Sequence, residues 1–126
     1  MKPKPAFSEK QRAYIRKCVQ KYRRLFFLTE YDVNVFYQNQ PDENDLKCAM
    51  STTNPRYLQV VLEFYPVILE KSQKEIDWIV CHELMHCVLA PLVHVACERF
   101  SSEEQLKEAH ELVTSKLSNI ILQNEK

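Results

Sequence analysis

Five consecutive residues near the middle of the chain, His82-Glu83-Leu84-Met85-His86, have the types and spacing that hold a metal ion and activate a water beside it. On a helix, residues four apart lie about 40° apart around the axis and one turn up, so both imidazoles can reach one ion from one face. Glu83 stands about 100° round from His82, close enough to act on such a water without becoming a ligand. Zinc would lower the pKa of the water to near neutrality, and Glu83 would accept its proton and pass it to a leaving amine. The alternative is that these are hydrogen-bonded core or surface side chains. Two histidines and a glutamate are poor choices for a buried helix, however, because burying them unpaired costs kcal/mol rather than tenths.

A catalytic zinc site takes three protein ligands and keeps one position open. The candidates for the third are His94, Glu108, His110 and Glu111. With Leu106 as the origin of the last helix, Val113, Leu117 and Ile120 cluster within about 40°, and His110 falls at about 40°, inside this apolar stripe. Glu111 falls at about 140° and Glu108 at about 200°, both turned away. His110 is therefore the favoured third ligand, with Glu111 and His94 as alternatives. The longer pattern H-E-x-x-H-x-x-G-x-x-H is excluded, because Leu89 and Leu92 stand at its glycine and third histidine. Cys81 and Cys87 flank the motif off the metal face and read as core.

The elements that must position these residues follow from periodicity. Residues 1–7 read as a flexible tail and 8–126 as a single domain. Ser8 with Gln11 makes a capping box that opens a helix to about Phe27, with Tyr14, Ile15, Cys18, Val19, Tyr22, Leu25 and Phe26 on one arc. Tyr31–Tyr37 alternates as a strand, residues 38–46 form a polar loop, and a short strand is expected near Lys47–Thr52. Asn54-Pro55-Arg56 is a turn, and Tyr57–Tyr65 is the clearest strand, with Leu58, Val60, Leu62 and Phe64 on one side. Ser72-x-x-Glu75 opens the motif helix, which is apolar on most sides and is stopped or kinked at Pro91. Ser101-x-x-Glu104 opens the last helix, with Leu106, Ala109, Val113, Leu117, Ile120 and Ile121 as its apolar stripe. The order helix, strands, helix, helix is α+β.

An N-terminal helix, the strands D-V-N-V and R-Y-L-Q-V-V-L, then W-I-V-C-H-E-L-M-H-C-V-L-A-P-L before an amphipathic helix: this series resembles the small zincin-fold metallopeptidases. It resembles especially the minimal H-E-x-x-H proteins common in phage and prophage genomes. The resemblance spans most of residues 8–122, and its specific part is residues 79–92. It implies a zincin-like core, with an N-terminal helix, a small three-stranded sheet, a central motif helix packed under it and a C-terminal helix that donates the third ligand. In similar proteins that donor is often a glutamate early in the last helix, a place held here by His110 with Glu111 beside it. It further implies a substrate-side edge strand, expected at Tyr57–Tyr65, to which a peptide could add by main-chain hydrogen bonds. Candidates for stabilising an oxyanion are Arg56, Tyr57 and Tyr65, by polarity alone.

Composition narrows the function classes. The 126 residues include no glycine, where roughly nine would be usual. That excludes the P-loop and the dinucleotide-binding loop. Five cysteines, with no C-x-x-C pair, form neither a disulfide framework nor a zinc ribbon, and the N-terminus lacks the apolar stretch of a signal peptide. A cytoplasmic protein with no membrane span is expected, since His86, Pro91 and His94 interrupt the apolar stretch from Leu84 to Cys97.

The net charge of zero hides an asymmetry: residues 1–24 carry nine Lys or Arg against Glu9 alone, +8 against −8 for the remainder. The expected function is zinc-dependent (Zn2+) peptide-bond hydrolysis of a protein or peptide substrate. The alternative is a non-catalytic zinc protein whose basic helix 8–27 binds nucleic acid or an acidic partner. A third reading keeps the motif helix only as core, with no metal.

Overall fold

The computed structural model describes residues 5–43, 46–97 and 102–124. It is α+β, with three helices and one small mixed sheet: α1 (Glu9–Leu25), β1 (Asp32–Tyr37), β2 (Ala49–Asn54), β3 (Gln59–Phe64), α2 (Gln73–Cys97) and α3 (Glu103–Asn124). A short 3-10 turn, Pro66–Glu70, links β3 to α2.

Two of the three expected capping boxes form among the described residues. Ser8 Oγ accepts from the Gln11 N–H at 3.1 Å while Gln11 Oε1 accepts from the Ser8 N–H at 2.8 Å. Ser72 and Glu75 repeat the exchange at 3.2 and 3.1 Å, saturating two otherwise orphaned helix N–H groups. The box expected at Ser101 lies outside the described residues; Ser102 caps α3, its Oγ accepting from the Gln105 N–H at 3.2 Å.

The sheet order is β1-β3-β2, with β3 parallel to β1 and antiparallel to β2. The clearest strand of the sequence is thus the central one, and the expectation of a substrate-side edge at Tyr57–Tyr65 is corrected: the edges are β1 and β2. Alternation explains which side is buried. Val60, Leu62 and Phe64 face the helices and are almost fully buried, with Val33, Val35 and Tyr37 of β1 packed beside them. Leu58, expected on the same face, instead sits in the β2–β3 turn with φ 52°.

On the helix side, Ile15, Cys18, Val19 and Tyr22 of α1 meet Ile76, Val80, Leu84 and Cys87 of α2 in one core. The Tyr22 hydroxyl, inside this core, donates to Asp77 Oδ2 at 2.6 Å. Two expectations change here. The end of the expected 1–7 tail is core: Phe7 is 1% exposed, its ring 5.2 Å from Tyr37, and the Ala6 N–H donates to Asn39 Oδ1. Pro91 does not end α2, which runs on to Cys97 with Pro91 inside it. The ring removes one helix hydrogen bond, the one to the Cys87 carbonyl, and the helix bridges that loss.

The apolar character of α2 also extends further than its second half. Gln73–His94 is long and apolar enough to cross a membrane by length and composition, with a mean hydropathy of 1.4. Leu84–Cys97, on which the expectation of no such stretch rested, is too short by itself, and Ile76–Cys81 extends it. In this fold the segment is the central helix, packed against α1, β2 and α3.

Candidate metal centre

α2 and β2 form two walls of a cleft of about 870 Å³, and α3 forms the third. α2 brings His82 and His86 to its α3-facing side, one turn apart, their rings 4.8 Å apart and edge to face. Glu111 of α3 closes the set. Its Oε1 lies 2.7 Å from His82 Nε2 and its Oε2 lies 3.0 Å from His86 Nε2. The three residues offer ligand atoms all within 4.8 Å of one another, a group that could hold a metal ion.

Glu111, and not the favoured His110, completes this group. His110 lies behind the site: its Nε2 is 3.2 Å from His86 Nδ1, the ring nitrogen that does not face Glu111. The reason is the orientation of α3. Its inward face carries Thr114 and Ser118, both fully buried, while Val113 and Ile120 of the apolar stripe remain 44% and 47% exposed. Small side chains let two helices approach closely, and here their hydroxyls are satisfied within α3 itself. Thr114 donates to the His110 carbonyl at 2.6 Å and Ser118 to the Thr114 carbonyl at 2.7 Å. The helix is thus turned by about 100° from what its apolar stripe suggests, which carries Glu111 onto the histidines. His94 lines the cleft outside this group, and Glu108 is neither in the group nor on the cleft wall.

Each histidine is held from behind as well. Ser115 Oγ lies 3.3 Å from His82 Nδ1, and Thr114 Oγ1 lies 3.4 Å from His86 Nδ1 alongside His110. Trp78 stacks on the His82 ring at 4.9 Å and donates to Asn119 Oδ1, tying that ring to α3. Such contacts fix which ring nitrogen faces the ion. Burial holds the His86 imidazole neutral, its pKa lowered to about 4 against the opposing pull of Glu111 and with help from His82 and His110. Burial lowers that of His110 as well. A neutral imidazole is the form that ligates.

The donor set fits a divalent ion by its chemistry. Two imidazoles and one carboxylate with a position left open is the composition of catalytic zinc sites.

Glu83 lines the same cleft beside His86 and Glu111. Burial pushes its carboxyl above the usual carboxylate range, opposed by a hydrogen bond from Ser51 of β2 and by the nearby His82. β2 is also pinned to α2 where the Thr53 hydroxyl donates to Cys87 Sγ at 3.2 Å. Cys81 and Cys87 are fully buried core, off the ligand face.

Arg56, Tyr57 and Tyr65 do not line the cleft. Tyr57 is 72% exposed, and the Tyr65 hydroxyl donates to Glu63. The cation on the β2 side is Lys47, 3.9 Å from Asp42 and in contact with Met50 Sδ. In the sequence Lys47 sits in a polar stretch with nothing to distinguish it.

No match was found for this chain among protein-family models, curated proteins or solved structures.

Proposed function

We propose that this chain is a zinc-dependent peptide hydrolase with a zincin-like core, His82, His86 and Glu111 as the metal ligands and Glu83 as the general base. The observation that carries this reading is the convergence of His82, His86 and Glu111, with Glu83 lining the same cleft as His86 and Glu111. Zinc, when bound, supplies a Lewis acid that polarises a carbonyl and makes water acidic near neutral pH. Glu83 takes the proton of the attacking water and returns it to the departing amine. Its partial burial favours the protonated form it needs halfway through that cycle. Ser51 orients the carboxylate from β2.

The substrate backbone lies along β2, whose one sheet partner is β3 and which borders the cleft through Ala49, Met50, Ser51 and Thr53. An extended peptide there gains main-chain hydrogen bonds whatever its sequence. Lys47, a cation on the β2 side of the cleft, is the oxyanion candidate in place of Arg56, Tyr57 and Tyr65.

The test is metal content and hydrolysis of an unfolded protein substrate, with wild type beside Glu83→Gln. About one zinc per chain in both proteins is expected, with hydrolysis lower by about 10²–10⁴-fold in the variant. Zinc-loaded wild type no faster than Glu83→Gln would remove the catalytic role, and failure to take up zinc would remove the whole reading.

A further inference from the structure

The basic first helix has a structure that its cleft does not explain. Of the residues that give the N-terminal segment its charge, three have partners in the fold. The Arg23 guanidinium donates to the carbonyls of Leu28, Thr29 and Tyr31, locking the exit of α1. Arg12 lies over the Tyr37 ring at 5.3 Å. Lys21 stands 3.9 Å from Asp77 of α2. Lys10, Arg16, Lys17 and Arg24 are exposed and make no ion pair among the described residues.

These side chains are ordered along the helix. Lys10, Lys17, Lys21 and Arg24 fall within a stripe about 60° wide, and from Lys10 to Arg24 the helix rises about 21 Å. Arg16, Lys17, Lys21 and Arg24 also line a groove of about 780 Å³ with Tyr14, Cys18, Gln20 and the single acid Asp77. None of its lining residues borders the metal cleft.

We infer that this face of α1 binds the phosphate backbone of a nucleic acid, independently of the metal centre. A straight row of cations with almost no acid beside it complements a polyanion of regular charge spacing. An acidic protein is the weaker match. Protein interfaces draw affinity from an apolar core, and between Lys10 and Arg24 the exposed residues of α1 are charged, Gln or Ala. Backbone binding to nucleic acid needs no such core, since release of condensed counterions drives it. The contact carries no base-reading element, so binding is independent of sequence.

The experiment is fluorescence anisotropy of a labelled 20-base-pair DNA duplex of arbitrary sequence with the full chain, from 50 to 200 mM salt. Four phosphate contacts predict an affinity that falls about a hundredfold over that range. The triple variant Lys10→Gln, Lys17→Gln, Arg24→Gln removes exposed charges that hold nothing in the fold. It should bind at least about tenfold more weakly at 50 mM and lose most of the salt dependence. Lys107→Gln, in the metal cleft, should bind as wild type does. Absence of binding at 50 mM overturns the inference, as does equal binding by the triple variant. Displacement of the duplex by a polyglutamate peptide at equal charge concentration would assign the face to acidic proteins instead.

Discussion

His110 Nε2 lies 3.2 Å from His86 Nδ1, so the histidine of α3 backs a member of the candidate metal group that it was expected to join. With His86 Nε2 on a bound ion, the proton of the ring would sit on Nδ1, where His110 Nε2 or Thr114 Oγ1 can accept it. Partners of this kind typically contribute 10–100-fold to metal affinity, whereas loss of a ligand removes a bond to the ion itself. His110→Ala is therefore expected to keep about one zinc per chain when saturated, with affinity lower by about 10–100-fold. Glu111→Ala should lose more than about 100-fold and fail to saturate. Competition with a chromophoric chelator measures both, and the reverse ranking would restore His110 as the ligand.

The Glu83 carboxyl links function to stability. Its folded pKa is raised by burial, so the stability it contributes is present below the unfolded carboxylate pKa of about 4.3 and is lost as pH rises through the folded value. Above that value the buried charge is a cost. In the presence of chelator, Glu83→Gln should be more stable than wild type at pH 8 and show no such advantage at pH 3.5. Urea midpoints at the two pH values decide it, and a variant equally destabilised at both would show that the charge carries no burial penalty.

How far the sequence reveals this protein depends on which force sets each feature. The capping boxes at Ser8 and Ser72, the burial of Val60, Leu62 and Phe64, and the placing of His82 and His86 on one face all rest on local periodicity, and all were legible. The rotation of α3 was not, because an apolar stripe normally marks the buried side and here Thr114 and Ser118 occupy it. Their hydroxyls close onto the carbonyls four residues back, so they pack as small neutral residues. Strand order was equally hidden. Tyr57–Tyr65 is apolar because it is central, and the plainer Ala49–Asn54, with two threonines and a serine, is the edge that borders the cleft.

A chain without glycine must place other residues where the backbone turns left-handed. Phe27 has φ 56° at the end of α1, where its N–H donates to the Arg24 carbonyl and the Leu28 N–H to the Arg23 carbonyl, a Schellman closure. The β-carbon makes this conformation costly by roughly 1–2 kcal/mol, and the side chain recovers little because it is 86% exposed. Phe27→Gly should raise stability by about 1 kcal/mol, or Tm by about 4 °C. Phe27→Ala keeps a β-carbon and should give no such gain. Equal stabilisation by both would place the effect in the exposed ring and not in the backbone.

The thiols test the ligand set from the opposite direction. Cys18, Cys81 and Cys87 are buried, Cys48 is half-buried and Cys97 is exposed. Burial pushes the Cys18 and Cys87 thiols up to about 11 and raises that of Cys48, so little thiolate is present at pH 8. A disulfide reagent at that pH should label Cys97 within the mixing time and the other four at least about 100-fold more slowly. Cys81 and Cys87 adjoin the motif, and a metal held by sulfur would lose that protection on chelation. With His82, His86 and Glu111 as the ligands, chelator removes the ion without touching the core around Cys87, which Thr53 continues to hold. Labelling rates of Cys81 and Cys87 unchanged by chelator are therefore expected, followed by mass spectrometry of the labelled peptides. Their selective release on chelation would move the metal from the histidines to the cysteines.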